Sequence, residues 1–186
     1  MPKLQNRRIA ILATDGYEQS ELEKPRDALL SEGAEVHIVS THSGQIRGWN
    51  ENDWGDSVKV DRTLDDVSPA DYDALVLPGG QINPDMLRND KSAVGFIKAI
   101  FEAKKPIAAI CHAPWLLVEA GIAKGRKLTS FHSIRTDLEN AGAIWEDSPV
   151  VVDQGVVTSR NPDDLPNFCG KMIEEICEGR HDARAA

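Results

Sequence analysis

Ile107-Ala108-Ala109-Ile110-Cys111-His112-Ala113-Pro114-Trp115 is the stretch on which the fold turns. Residues 107–110 form a four-residue apolar run of strand length. Pro114 suits the first turn of a helix, where no backbone N–H is needed, and the helix runs through Leu117 to Ala120 and ends at Gly121. A strand entering a helix with a nucleophilic side chain at the corner has the layout of a nucleophile elbow. That sharp turn needs small residues two before and two after the nucleophile, and Ala109 and Ala113 hold those places. A thiol at a helix N-terminus feels the positive end of the dipole, so Cys111 is expected to have a lowered pKa. The competing reading is a free cysteine buried as a small hydrophobe; the elbow spacing favours function.

The alternation of strand and helix extends both ways. Residues 8–13 read as a buried strand ending in Thr14-Asp15-Gly16. Residues 18–32 follow with helical spacing at Leu22, Pro25 and Leu29, and Gly33 ends them. Pro25 should kink this helix or sit near its first turn. Residues 35–40 are a second strand. Residues 41–61, punctuated by Gly44, Gly48 and Gly55 and holding Trp49 and Trp54, read as a hairpin-like excursion. Residues 73–77 form a strand stopped by Pro78-Gly79-Gly80, and residues 91–103 an amphipathic helix.

Residues 127–130 predict a further strand and 134–140 a short helix. Residues 150–153 and 156–159 flank Gln154-Gly155 as a tight hairpin. The last helix carries Leu165, Phe168, Cys169, Met172, Ile173 and Ile176, and a frayed polar tail is expected from Gly179. The pattern predicts one α/β domain over residues 1–186, a mostly parallel sheet with helices on both faces. Sites in such sheets lie beyond the carboxyl ends of the strands, here the loops after Ala13, Leu77, Ile110 and Ser130.

The 186 residues are 41% apolar and 27% charged, which excludes a disordered or fibrous chain. Lys and Arg total 21 against 30 Asp and Glu, a net charge of −9 that repels phosphate backbones and anionic lipid. Neither nucleic acid nor membrane is an expected partner. The apolar run of residues 9–13 is too short for a signal or a span, so the expected location is cytoplasmic. Cys111, Cys169 and Cys177 are read as thiols rather than a disulfide frame. No C-x-x-C or zinc-spaced His/Cys cluster occurs, and neither metal nor cofactor is expected.

Three further features sit on the inspected loops. His112 can take the thiol proton if the turn brings both side chains together; otherwise it faces solvent or an interface. The Gly80 and His112 N–H groups can form an oxyanion hole, although Gly-Gly is also an ordinary turn. Glu18 opens the first helix on the same sheet edge as Cys111. Taken alone, it reads best as a carboxylate complementing the helix dipole.

The chain resembles PfpI-type intracellular proteases and general stress proteins of the class I glutamine amidotransferase-like superfamily. The resemblance rests on Asp15-Gly16-Tyr17-Glu18-Gln19-Ser20-Glu21-Leu22, Ala74-Leu75-Val76-Leu77-Pro78-Gly79-Gly80 and the elbow, with Gly125-Arg126-Lys127-Leu128-Thr129-Ser130, Asn140-Ala141-Gly142-Ala143, Val151-Val152-Asp153 and Thr158-Ser159-Arg160. It covers about residues 7 to 177. It implies a flavodoxin-like sandwich, Cys111 as nucleophile, His112 as its partner and Glu18 as the buried acid beside the sulfur. It also implies a homodimer or larger homo-oligomer. In the protease members a Glu of a neighbouring subunit completes the site; the matching place here holds Asp85, one methylene shorter.

The superfamily's late catalytic histidine is replaced by Asn161 in Arg160-Asn161-Pro162-Asp163, and an amide is no base near neutral pH. Glutamine hydrolysis is therefore not expected. The function the resemblance implies is a stress-linked cysteine hydrolase, protease or deglycase/glyoxalase-like, acting on a small carbonyl, glycated or peptide substrate. The alternative is a redox-sensing stress protein in which Cys111 is oxidised to sulfinate beside Glu18.

Overall fold

A computed structural model describes residues 1–184. β1 (Arg8–Leu12) places Ile9, Ala10, Ile11 and Leu12 entirely out of solvent, as a strand covered on both faces must. The two-residue β2 (Tyr17–Glu18) leads into α1 (Gln19–Ser31), whose buried side chains are Glu21, Leu22, Pro25 and Leu29. Pro25 is in the interior of α1, and the helix continues past it to Ser31. β3 (Glu35–Ser40) follows. β4 (Gln45–Asn50) and β5 (Asp53–Lys59) form the antiparallel excursion read from the sequence, and β4 also pairs with β2 in a separate three-stranded sheet. Across it Trp49 and Trp54 meet edge to face, 5.5 Å between ring centroids.

β6 (Arg62–Thr63) returns to the main sheet and β7 (Ala74–Leu77) enters its middle. α2 (Ile82–Arg88) and α3 (Lys91–Glu102) precede β8 (Ile107–Ile110), and α4 (Pro114–Glu119) leaves the elbow. β9 (Lys127–Leu128), α5 (Arg135–Asn140) and β10 (Ile144–Trp145) come next. β9 is shorter than the strand expected over 127–130. It pairs in parallel with β10 alone, outside the main sheet. β11 (Val151–Asp153) and β12 (Val156–Ser159) make the expected hairpin, with Gln154 and Gly155 both at positive φ (50° and 81°), and α6 (Leu165–Glu178) closes the chain.

The main sheet has the order β11-β12-β8-β7-β1-β3-β6 and is parallel except for β11. One face packs Leu75, Leu77 and Ala109 against Ile97, Ile100 and Leu116; the other packs Ile9, Ile11 and Ile110 against Leu22, Leu29 and Phe168. Each fully buried Leu, Ile or Phe contributes roughly 1.5–3 kcal/mol over exposure.

From Gly179 to Arg184 the tail is not frayed; the part of that expectation falling on residues 185–186 lies outside the described residues. The His181 N–H donates to the Lys104 carbonyl, and Arg184, 2% exposed, donates to the carbonyls of Gln154, Phe101 and Lys105. Lys104 Nζ donates to the Arg184 carbonyl. Nε and Nη1 of the guanidinium find carbonyl acceptors under cover while Nη2 is buried without one, an arrangement the polar composition of the segment conceals. Among the described residues no helix is long and apolar enough to cross a membrane.

From β1 the chain builds outward through β3 to β6, then returns to the other side of β1 as β7. Strand order therefore reverses between β1 and β7, and the crevice beyond their carboxyl ends is where a doubly wound sheet holds its ligand.

Candidate active site

The crevice is stapled by Asn83, which has no exposed surface. Its Oδ1 accepts the Thr14 N–H at 2.8 Å, and its Nδ2 donates to the Pro78 carbonyl at 2.9 Å. The ends of β1 and β7 are thereby fixed beside the end of β8. Cys111 follows β8 with φ 65°, a conformation that strains a residue bearing a Cβ and is kept where the surroundings hold it. Its N–H donates to the Ser159 carbonyl (3.0 Å), and its own carbonyl accepts from Phe131 N–H (2.8 Å). The side chain turns into a cavity of about 360 Å³ lined by Glu18, Glu21, Trp49, Glu51, Ile82, Phe131 and Pro162, among others.

His112 is brought to the sulfur as the elbow requires: Nδ1 lies 3.1 Å from Sγ. Its ring stacks on Phe131 (4.7 Å, 23°) and meets the edge of Trp115 (5.2 Å). Burial, with His132 nearby, lowers its pKa to about 4, so the imidazole is neutral at pH 7. The backbone N–H groups of Gly80 and His112 interact with the Cys111 sulfur and favour its thiolate.

The carboxyl group against Cys111 is Glu21, not Glu18. Glu21 has no exposed surface; Oε2 accepts the Gly79 N–H at 2.8 Å, and the group interacts directly with the thiol. Burial, together with the neighbouring Glu18, pushes its pKa up to about 8. Glu18 lines the cavity half-buried. Its pKa is raised by burial and partly restored by the Glu51 N–H, and its side chain makes no cap bond to α1. The physical reason is helical phase. Glu21 shares the inward stripe with Leu22, Pro25 and Leu29, whereas Glu18 precedes the helix.

The expected fall in the thiol pKa is also corrected. Burial first, and then the Glu21 charge, push the Cys111 thiol up, against the pull of the two N–H groups. α4 is only six residues long, and desolvation outweighs what its end supplies.

The glycines are exacting. A Cβ on Gly79 would overlap Glu21 Oε2 and come within 2.6 Å of both Cys111 Cβ and the Ile110 carbonyl oxygen. Gly80 has φ 75°. Asp85 is exposed on the first turn of α2 and does not line the cavity of its own chain. Asn161 caps a single 3-10 turn, its Oδ1 accepting the Asp163 N–H at 3.0 Å. Ser133, Phe131, Trp49 and Glu51 escape a reading of the sequence: the first two lie in the segment after β9 and the other two in the β4–β5 excursion, and each reaches the site only through tertiary packing. Among the described residues one group of potential metal donors, Glu175, Glu178 and His181, lies at the far end of α6, where His181 Nε2 is 3.1 Å from Glu175.

A doubly wound sheet with a strained cysteine elbow, a buried carboxylic acid and two converging N–H groups defines a class of cysteine-centred α/β proteins. The DJ-1/PfpI family model matches residues 7–175, and the chain belongs to that family. It is 46% identical over 167 residues to the deglycase TK1284 of Thermococcus kodakarensis, spanning 90% of this chain and 98% of that protein. General stress protein 18 of Bacillus subtilis is 44% identical over 164 residues, 87% of this chain and 93% of its own. The structure of Drosophila melanogaster DJ-1beta superposes with a TM-score of 0.83 at 26% identity, covering 92% of this chain and 90% of that one.

Proposed function

We propose that the protein is a cysteine-dependent hydrolase that opens carbonyl adducts of amines, the activity class suggested by relatives named deglycases. The observation that carries this reading is the convergence on Cys111 Sγ of a buried acid, a neutral imidazole and two N–H groups. Glu21 Oε2 is an acceptor for Gly79, while Oε1 is buried without a hydrogen bond of ordinary geometry. A carboxylic acid places its proton on such an oxygen, where it donates to a sulfur anion.

In the proposed reaction on a hemiaminal, in which the amine sits on a carbinol carbon beside a carbonyl, His112 Nδ1 takes the thiol proton and Sγ displaces the amine from the carbinol carbon, the amine leaving with the imidazolium proton. The hemithioacetal so formed passes its carbinol C–H proton to the neighbouring carbonyl carbon through an enediolate stabilised by the N–H groups of Gly80 and His112, which gives a thioester. Water then releases the hydroxy acid and restores the thiol. The test is single-turnover release of amine from a dicarbonyl–N-acetylarginine adduct by reduced protein, read by mass. Cys111→Ser should abolish it; full release by that variant overturns the reading.

A second reading is favoured by the same acid: a protonated Glu21 would hold a sulfinate oxygen of oxidised Cys111, as in a redox-sensing stress protein. Oxidation without turnover of any carbonyl adduct is its signature.

A further inference from the structure

His112 faces two partners. Nδ1 is 3.1 Å from Cys111 Sγ and Nε2 is 3.3 Å from Ser133 Oγ. Phe131 and Trp115 hold the ring plane from two sides. Ser133 is itself fixed. It sits in the single 3-10 turn His132–Ile134, which is anchored below by Ile134, 2% exposed, and in front by the Phe131 N–H on the Cys111 carbonyl. Among the described residues, no carboxylate of this chain contacts Nε2.

We propose that Ser133 is a positioning residue that selects the His112 tautomer. Its Oγ accepts the Nε2–H, which leaves the Nδ1 lone pair aimed at the Cys111 thiol. A neutral imidazole carries one proton, so occupying Nε2 with it is the condition for Nδ1 to act as base. The Ser133 side chain is exposed, so its own hydroxyl proton is free to turn to water. When Nδ1 takes the thiol proton, the Nε2–H stays on Ser133; when Nδ1 gives it to the leaving amine, the starting tautomer returns. The residue thus fills, from within the chain, the orienting place that would otherwise fall to Asp85 of a second copy. This proposal rests on the reading of Cys111 as nucleophile and His112 as proton acceptor.

The test uses the full chain labelled with 15N-histidine, together with turnover of the dicarbonyl–N-acetylarginine adduct. The wild-type protein at neutral pH should show His112 as the Nε2–H tautomer. Ser133→Ala should lose that preference and lower kcat about tenfold, the size of one lost hydrogen bond to the reacting group, with KM little changed. Ser133→Thr, which keeps the hydroxyl, should restore both. An Nδ1–H tautomer in the wild-type protein, or wild-type kcat in Ser133→Ala, overturns the proposal. Full turnover by Cys111→Ser instead overturns the hydrolase reading beneath it, so the two failures are distinguishable.

Discussion

Glu21 Oε2 accepts the Gly79 N–H at 2.8 Å while the same carboxyl lies against Cys111, so the end of β7 holds the acid to the thiol. The acid is wholly buried and its pKa is pushed up to about 8. A proton is therefore available beside the sulfur at neutral pH.

Oxidation should report this proton. Under mild peroxide, the fraction of Cys111 retained as sulfinate, read by peptide mass, should fall in the order wild type, Glu21→Gln, Glu21→Leu. An amide donates less strongly than a carboxylic acid, and leucine does not donate. Glu18→Gln should leave the yield near that of the wild type. Equal yields from all four proteins would remove Glu21 from the chemistry of the sulfur.

Gly79→Ala should cost about 1–3 kcal/mol of stability through overpacking. Its Cβ would be driven into Glu21, Cys111 and the Ile110 carbonyl. Chemical denaturation measures the first effect, and loss of adduct turnover measures the displacement of the acid. Gly95→Ala, where an added Cβ meets nothing within 4 Å, is the control.

Stability should peak between the two titrations of the site. The raised pKa of Glu21 makes the folded protein bind more protons than the unfolded chain between about pH 4.5 and 8, so its stabilisation is lost as pH rises through that range. His112, lowered to about 4, has the opposite sign: the unfolded chain binds more protons between about pH 4 and 6.5, and stability falls as pH drops through it. Denaturation midpoints against pH should lose the alkaline slope in Glu21→Gln and the acid slope in His112→Phe. Slopes unchanged in both variants would refute the assignments.

Arg184→Ala should lower stability by about 2–4 kcal/mol, because three carbonyls lose a charged donor in a buried place. A thermal midpoint within about 1 °C of wild type, a difference far below the roughly 2–4 °C expected per kcal/mol for a chain of this size, would return the tail to the frayed segment its composition suggests.

The fold is legible because β1, β7 and β8 are unbroken apolar runs with turn residues at their ends, and only strands covered on both faces read that way. The elbow is legible from Ala109, Ala113 and Pro114. Glu21 is harder to find, although the information is present: Leu22, Pro25 and Leu29 define the inward stripe of α1, and Glu21 is one helical turn before Pro25. A charged residue on a buried stripe yields, in a reading by position, to Glu18, whose place at the strand end matches the expected sheet edge. β2, β6, β9 and β10 are two residues long, and their pairing is decided by tertiary packing that no local pattern records. The thiol pKa escapes the sequence for a related reason, since the depth of burial belongs to the assembled site and not to the loop.

The pH dependence of Cys111 alkylation, followed by peptide mass in the wild type, Glu21→Gln, Glu21→Leu and Glu18→Gln, tests the central claim most directly. Below pH 8 the rate should fall in the order wild type, Glu21→Gln, Glu21→Leu, with Glu18→Gln close to wild type. Above about pH 8, Glu21 ionises beside the sulfur, so the wild type should lose its lead over Glu21→Gln. A profile in which Glu18→Gln slows alkylation as much as Glu21→Leu, while Glu21→Gln tracks the wild type throughout, would contradict the assignment of Glu21 as the acid that governs Cys111.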